Sequence, residues 1–131
     1  MKYTFDFQLP PIECSPNWKG HWAKKARAVK TYRTDCAWSA VNHGYGALMF
    51  ESAVLSVEYR AHRGIKGRYC ALDVQNAMAS VKATVDALVD ARILVNDSAK
   101  RVKWDEFTLR TTKPECLRYG GPGVTVTVRA A

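Results

Sequence analysis

The 131-residue sequence predicts an α+β fold in a single domain, with one mixed sheet and two main helices in the order β-α-β-α-β-β. Apolar residues alternate with polar ones over residues 3–9 and 53–60, which is the period of a strand with one buried face. They recur at helical spacing over 22–42 and 77–91. Glycine and proline separate these segments, and the length suits one core, so the domain is expected to span residues 1–131.

The first strand and the first helix have clear boundaries in the sequence. Residues 3–9 are stopped by Pro10-Pro11, since proline cannot donate to a strand ladder. The helix over 22–42 ends before Gly44. An apolar stripe along it comprises Trp22, Ala26, Val29, Cys36, Ala40 and Val41. Trp22 begins this stripe and is therefore expected to pack in the core.

The second half supplies the remaining elements. Residues 53–60 predict the second strand, and a basic loop with two glycines follows over 61–69. A second helix is predicted over 77–91, with Asn76 as its N-cap. Two more strands, over 102–109 and 124–128, are separated by a glycine-rich turn.

The charge of the chain is strongly basic and unevenly distributed. Twenty Lys and Arg residues against twelve Asp and Glu give a net charge of +8 and a pI near 9.5. Residues 19–34 and 60–70 are rich in Lys and Arg and contain no acid. Such clusters favour a polyanion such as nucleic acid, although they can also serve solubility alone. The candidate DNA contacts in them are Lys24, Arg27, Lys30, Arg33, Arg63, Lys66 and Arg68.

Other compositional signals narrow the class of protein. The four cysteines are widely spaced, which disfavours a disulfide framework or a zinc site and predicts free thiols. No apolar run is long enough to span a bilayer, and the first residues lack a signal-peptide pattern. A cytoplasmic protein that does not contact membranes is therefore expected.

The segment from Asp73 to Asp97 contains the most specific pattern. Hydrolysis of a phosphodiester needs an activated water and a place for negative charge, and Mg²⁺ held by carboxylates provides both. Asp73 and Asp97 are the best candidate ligands, and Asp86 is a weaker one. Lys82 can neutralise charge that develops on the phosphate.

Each of these residues also has an ordinary structural interpretation. Asp73 suits a turn or a helix cap, and Asn96-Asp97-Ser98 suits a turn. Lys82 and Asp86 are four residues apart and can form a solvent-exposed ion pair. The order of the residues, together with Pro10-Pro11 and the basic clusters, favours catalysis for Asp73 and Asp97 and leaves Asp86 open.

The same segment resembles the signature of the RusA family of Holliday junction resolvases. That signature has an aspartate-rich turn with asparagine, then a helix with lysine and Asp-Ala-Leu, and then an Asp-Asp pair. Pro10-Pro11, Ser15-Pro16-Asn17 and Tyr32-Arg33 resemble the N-terminal opening of the family, so the resemblance covers most of the chain. The residues that match the signature, in chain order, are Asp73, Asn76, Lys82, Asp86 and Asp97.

The resemblance implies a homodimeric endonuclease of the phage or prophage type, in the cytoplasm of a bacterial cell. It would nick four-way branched DNA symmetrically with Mg²⁺, or with Mn²⁺ as a substitute, and without a small-molecule cofactor. Asp73, Lys82 and Asp97 are the implied catalytic residues, with Asp86 as a further metal ligand. Asn17 and Asn76 join the basic residues as candidate DNA contacts.

The chain departs from the family pattern at three points. Gln75 and Asn96 stand where the family has aspartate, and Asn76 and Lys82 are three residues farther apart. These departures suggest an alternative, a catalytically weakened protein that binds junctions or other branched DNA. A third hypothesis is an RNA- or single-strand-binding module, suggested by the charge and by Trp18, Trp22 and Tyr69, which can stack on bases.

The predicted helix also constrains the catalytic site. A helix over 77–91 is about 22 Å long, and six extended residues span at most about 20 Å. Asp97 can therefore return to Asp73 only by a nearly straight path. We expect either that the helix ends early, near Val89, or that the partner subunit supplies Asp97.

Overall fold

The computed structural model describes residues 1–16, 18–45, 48–62, 74–96, 98, 100–112 and 123–131. The elements, in chain order, are β1 (Lys2–Phe7), a short 3-10 turn (Ile12–Cys14), α1 (Trp22–Val41), β2 (Ala53–His62), α2 (Val74–Ser80), α3 (Lys82–Asp90), β3 (Val102–Thr112) and β4 (Gly123–Ala130). This arrangement confirms the predicted α+β class. No helix among these residues is both long and apolar enough to cross a membrane.

The four strands form one mixed sheet in the order β1-β4-β2-β3. β4 is antiparallel to both of its neighbours, whereas β2 and β3 are parallel and are connected through α2 and α3. The β2–β3 register shifts between Leu55 and Ser56, which pair with Trp104 and Glu106. Asp105 is therefore the extra residue of a bulge.

The core lies on one face of this sheet, as the alternation predicts. Phe5, Leu55 and Val126 are each 2% exposed or less, and they belong to one buried cluster with residues of α1 and α3. The alternating polar positions, such as Thr4 and Ser56, lie on the opposite face. Among the described residues, the two faces of the sheet therefore differ in burial and polarity.

β1 ends at Phe7, two residues earlier than the sequence predicts. The carbonyl of Gln8 accepts a hydrogen bond from the Tyr32 hydroxyl at 2.6 Å. Pro10 and Pro11 follow shortly after and have no N–H to donate, so the strand ladder does not continue through them. β2 is longer than predicted and extends to His62, so Ala61 and His62 belong to the strand and not to the predicted loop. The rest of that predicted loop lies within residues 63–73, outside the described part.

α1 has nearly the predicted length, but its predicted buried stripe is wrong at both ends. Trp22 is 76% exposed and Val41 is 56% exposed. The fully buried residues of α1 are Tyr32, Cys36 and Ala40. The first turns of the helix extend beyond the core, and an apolar residue there is not buried even where the helical period would direct it inward.

The second predicted helix is two helices. The first, α2, begins at Val74, so Asn76 lies inside it and is not its N-cap. The helix is interrupted at Val81, between the end of α2 and the start of α3. α3 ends at Asp90, one residue beyond Val89, near which an early end is expected from the sequence. Gln75 and Asn76 contribute backbone to α2, and their side chains lie outside the described part.

At Val81 a single turn residue separates the two helices, and hydrogen bonds that span three residues occur beside ordinary helical ones. The Val81 N–H donates to the carbonyls of Ala77 and Met78 at 3.1 and 3.2 Å, and the Thr84 N–H donates to the Val81 carbonyl at 2.9 Å. Ser80 and Val81 are weaker helix formers than alanine, and both are buried. The break lies between Asn76 and Lys82, the interval that is three residues longer than in the RusA pattern.

The end of α3 is closed by a Schellman motif. Arg92 has a φ of 61°, in the left-handed region that glycine usually occupies. Its N–H donates to the Val89 carbonyl at 3.0 Å, and the Ile93 N–H donates to the Leu88 carbonyl at 3.0 Å. Ile93 is 3% exposed and supplies the apolar contact that accompanies this motif.

Candidate functional site

Lys82 and Asp86, two of the predicted site residues, form an ion pair on α3. Lys82 is the first residue of α3, and its Nζ lies 3.3 Å from Asp86 Oδ1. Arg33 Nη1 of α1 lies 3.9 Å from the other oxygen of Asp86. The carboxylate therefore has a cationic neighbour on either side, and the i,i+4 ion pair that sequence offers as the structural alternative is present.

Arg33 makes its shortest contacts with Asp90, which is not among the predicted site residues. Its Nε and Nη2 atoms donate to the two carboxylate oxygens of Asp90 at 2.5 and 2.7 Å. These bonds lower the pKa of Asp90 from its ordinary value. Lys82, Asp86 and Asp90 are four residues apart and therefore lie on one face of α3. This spacing is the sequence feature from which Asp90 could have been predicted as part of the cluster. Contact of Arg33 with DNA stays a prediction.

The two residues of the Tyr32-Arg33 motif make different contacts. Tyr32 is 6% exposed, and its hydroxyl lies between the Gln8 carbonyl and Thr84 Oγ1, at 2.6 and 3.2 Å. Burial raises the pKa of Tyr32 well above its ordinary value. Tyr32 therefore links α1 to α3 and to the residue that follows β1, while Arg33 links α1 to α3 at the surface.

Four basic residues lie on the first half of α1 and are here termed the basic surface: Lys24, Arg27 and Lys30, which are exposed, and Lys25, which is half-buried. Lys24 Nζ lies 5.9 Å from the centre of the Trp18 ring, and Lys25 donates to the Ser15 carbonyl at 3.3 Å. Within the described ranges, Arg27 and Lys30 have no ion-pair or hydrogen-bond partner. These cations are available to an anionic ligand.

A groove of about 660 Å³ lies between the basic surface and the end of α3. Its lining residues are Trp22, Lys25, Ala26, Val29, Lys30, Arg33, Thr34 and Asp90. It therefore joins the exposed indole, two lysines and the Arg33–Asp90 ion pair in one concavity. Lys25 and Lys30 of the basic surface are therefore adjacent to Asp90 of α3, whereas Lys24 and Arg27 line a second depression.

Asn96 has a local structural role. The chain before it is fixed by Phe50, whose N–H donates to the Ile93 carbonyl at 2.8 Å and whose carbonyl accepts from Val95 at 3.1 Å. Asn96 Oδ1 then accepts the Ser98 N–H at 3.0 Å. This bond is typical of the turn that the sequence offers as the alternative. Asn96 stands where the RusA pattern has aspartate: its amide oxygen can accept this hydrogen bond as a carboxylate would, but it has no negative charge.

Several predicted site residues lie outside the described residues, namely Asn17, Arg63, Lys66, Arg68, Asp73 and Asp97. The structure describes the neighbours of the predicted ligands Asp73 and Asp97: Val74 begins α2, and Asn96 lies beyond the end of α3. In the described part of the chain, no three His, Cys, Asp or Glu side chains are grouped so that they could hold a metal.

The residues present fit Mg²⁺ only in part. Asp86 is the one predicted ligand with a described position, and Lys82 and Arg33 would compete with a cation for its oxygens. Metal binding by Asp73 and Asp97 stays a prediction.

The cysteines with described positions are free, as predicted. Cys14 and Cys36 are buried, and burial raises the pKa of both thiols, that of Cys36 to about 11. They lie near Tyr32 in the core and not beside the charged residues of α3. They therefore serve packing rather than chemistry.

No protein-family model matches the chain, and no curated protein matches it significantly.

Proposed function

We propose that the protein is a Mg²⁺-dependent, structure-specific DNA endonuclease that cuts four-way branched DNA by symmetric nicking. The observation that carries this proposal is the adjacency of two features. Lys82 and Asp86, which match the RusA pattern, lie on the side of α3 that contacts Arg33 of α1. Lys25 and Lys30 of the basic surface line one groove with Arg33 and Asp90, so a phosphate backbone held there would pass close to α3.

The charge distribution supports DNA as the substrate. The chain has a net charge of +8, and the basic surface contains Arg27 and Lys30 without acidic partners in the described ranges. Contacts of this kind are independent of base sequence. They suit an enzyme that recognises the shape of a junction rather than a base sequence.

The residues of the Asp73–Asp97 segment have distinct roles in the proposed reaction. Asp73 and Asp97 would hold the metal, with Asp86 as a further ligand. When bound, Mg²⁺ would supply an activated water and polarise the phosphate. The Lys82 side chain is 70% exposed, so its ammonium group can reach a phosphate oxygen in solvent while remaining near Asp86.

Two symmetric nicks need two active sites. The proposal therefore includes a homodimer, as the RusA resemblance implies, with one site on each strand that is cut. It also places the enzyme in the cytoplasm, where the DNA substrate is.

The decisive experiment is cleavage of a labelled synthetic four-way junction with Mg²⁺, with Mn²⁺ and with EDTA, beside a linear duplex of matching sequence. We expect paired, metal-dependent nicks in the junction alone. Asp73→Asn and Asp97→Asn should abolish nicking and keep junction binding. Equal cutting of the linear duplex, or nicking that persists in EDTA, would contradict the proposal.

A second candidate function is binding of branched DNA without efficient cutting. Asn96 favours it, because its side chain is uncharged and bonds to the backbone of Ser98. If lost carboxylates limit metal binding, Gln75→Asp or Asn96→Asp should lower the Mg²⁺ concentration needed for half-maximal nicking. Tight junction binding without nicks in either metal, with nicking gained in these variants, would establish this second function.

A further inference from the structure

Trp22 is the most exposed aromatic residue that the structure describes on α1. It is 76% exposed at the first residue of the helix, although its position in the helical period points toward the core stripe. A large indole left in water is unfavourable by comparison with burial. An exposed tryptophan within a charged surface is therefore a candidate contact for a ligand.

The neighbours of Trp22 hold the ring in place on one side. The Trp22 and His21 rings are 5.6 Å apart, with an angle of 26° between their planes. His21 is itself fixed, because its Nδ1 accepts the Ala23 N–H at 3.1 Å at the start of the helix. The indole is therefore supported by a second ring and still presents most of its surface to solvent.

The groove beside Trp22 has the electrostatic character of an anion site. Lys25 and Lys30 line it, and Asp90 is the one acid among its lining residues. Arg33 neutralises that carboxylate with two hydrogen bonds. Ala26 and Val29 give the groove an apolar wall that suits a flat aromatic ligand.

A second depression on the other side of α1 is less suited to an anion. It is lined by Lys24 and Arg27, but also by Glu13 and Asp35. Among the described residues, neither Glu13 nor Asp35 forms an ion pair of the kind that Asp90 forms with Arg33. The positive potential near an aromatic ring is therefore better developed in the Trp22 groove.

We propose that this groove binds an unpaired nucleotide, with its base stacked on Trp22 and its phosphates contacted by Lys25 and Lys30. This inference rests on the proposed function, in that it takes DNA as the ligand. Bases in a duplex are stacked on each other, whereas a single strand or an opened branch point presents a free base face. A peptide partner could use the indole, but the two lysines match a phosphate backbone.

The test compares Trp22→Ala with Trp38→Ala. Trp38 is 65% exposed on the same helix and lies outside the groove, so it controls for the loss of an exposed indole. Fluorescence anisotropy in EDTA would measure binding to three labelled ligands: an oligonucleotide single strand, a junction with unpaired nucleotides at its branch point, and a linear duplex. Circular dichroism would check that each variant is folded.

We expect Trp22→Ala to weaken binding of the first two ligands about tenfold, as for the loss of one stacked base, and to change duplex binding less than twofold. Trp22→Tyr should restore most of the loss, since tyrosine also stacks. Equal effects of Trp22→Ala and Trp38→Ala on all three ligands would overturn the inference and leave the proposed nuclease untouched. Failure of the folded wild-type protein to bind any of the DNAs would overturn both.

Discussion

Arg33 of α1 and Asp90 of α3, which are 57 positions apart in the chain, form a two-point ion pair with distances of 2.5 and 2.7 Å. The two side chains are 42% and 40% exposed, so water screens the interaction. We expect a coupling free energy of about 0.5–1 kcal/mol in a double-mutant cycle of Arg33→Ala and Asp90→Ala, measured by urea unfolding. Arg33→Lys should lose most of the coupling, because a lysine cannot form both bonds at once.

The same pair predicts a pH dependence. Hydrogen bonding to Arg33 lowers the pKa of Asp90 below its ordinary value of 3.8. The stabilisation is therefore fully present above pH 3.8 and is lost as the pH falls through the lower pKa of the folded state. The double-mutant cycle repeated at descending pH should show coupling that declines over this acidic range. Coupling that increases on acidification would contradict the assignment.

The sequence predicts the strands and α1 well because their pattern is local. A strand with one buried face must alternate, as β2 does over Ala53–His62, and a long amphipathic helix must repeat at helical spacing. The exposure of Trp22 could not be predicted from local pattern. It depends on how far the core extends along α1, which the helical period alone does not contain.

In the candidate site, too, some contacts follow from local spacing and others depend on tertiary packing. The ion pair of Lys82 and Asp86 follows from their spacing on one helix. The pairing of Arg33 with Asp90 does not, because it depends on how α1 packs against α3. The sequence does not predict the break at Val81 either, because residues 77–91 contain no glycine or proline and their apolar spacing is that of one continuous helix.

Tyr32→Phe should destabilise the fold by about 1–2 kcal/mol in urea unfolding. The change removes the hydroxyl that bonds to the Gln8 carbonyl and to Thr84 Oγ1, so the buried Thr84 hydroxyl loses one of its partners. Tyr45→Phe is a matched control. Tyr45 donates to the Thr4 carbonyl at 2.9 Å but is 44% exposed, so water can replace its bond. Equal destabilisation by the two changes would contradict the role given to burial.

Cys14 and Cys36 should react slowly with iodoacetamide in the native protein at pH 8. Burial raises the pKa of both thiols, that of Cys36 to about 11, so the reactive thiolate is scarce and shielded. Peptide mass spectrometry would report each cysteine separately, with urea-unfolded protein as the control for full reactivity. Rapid labelling of Cys36 without denaturant would show that this part of the core opens readily.

Arg92→Gly should stabilise the protein by up to about 1 kcal/mol, because a non-glycine residue pays an energetic penalty in the left-handed region. Arg92 has a φ of 61° and closes α3. Arg92→Ala is the control, since it removes the same charge but keeps a Cβ. Thermal unfolding should show a higher midpoint for glycine than for alanine; equal midpoints would mean that the backbone strain is relieved elsewhere.

Lys82 offers the sharpest separation between a structural and a catalytic role. As one member of an exposed i,i+4 pair with Asp86, it should contribute only about 0.3–0.5 kcal/mol to stability. As the group that stabilises charge on the phosphate, its removal should slow nicking about 10²–10³-fold, the usual effect of removing one such donor. We therefore expect Lys82→Ala to unfold at nearly the wild-type urea concentration and to cut a four-way junction far more slowly at saturating Mg²⁺.

The control for Lys82→Ala is Lys2→Ala, which removes an equal charge from the exposed edge strand β1. Because both changes reduce the net positive charge by one, both should weaken junction binding slightly and equally. Only Lys82→Ala should reduce the rate of nicking once the DNA is bound, and Lys82→Arg should restore part of it by supplying a cation. If Lys82→Ala and Lys2→Ala cut at the same rate under single-turnover conditions, Lys82 is an ion-pair residue of α3 and the match to the RusA lysine has no catalytic meaning.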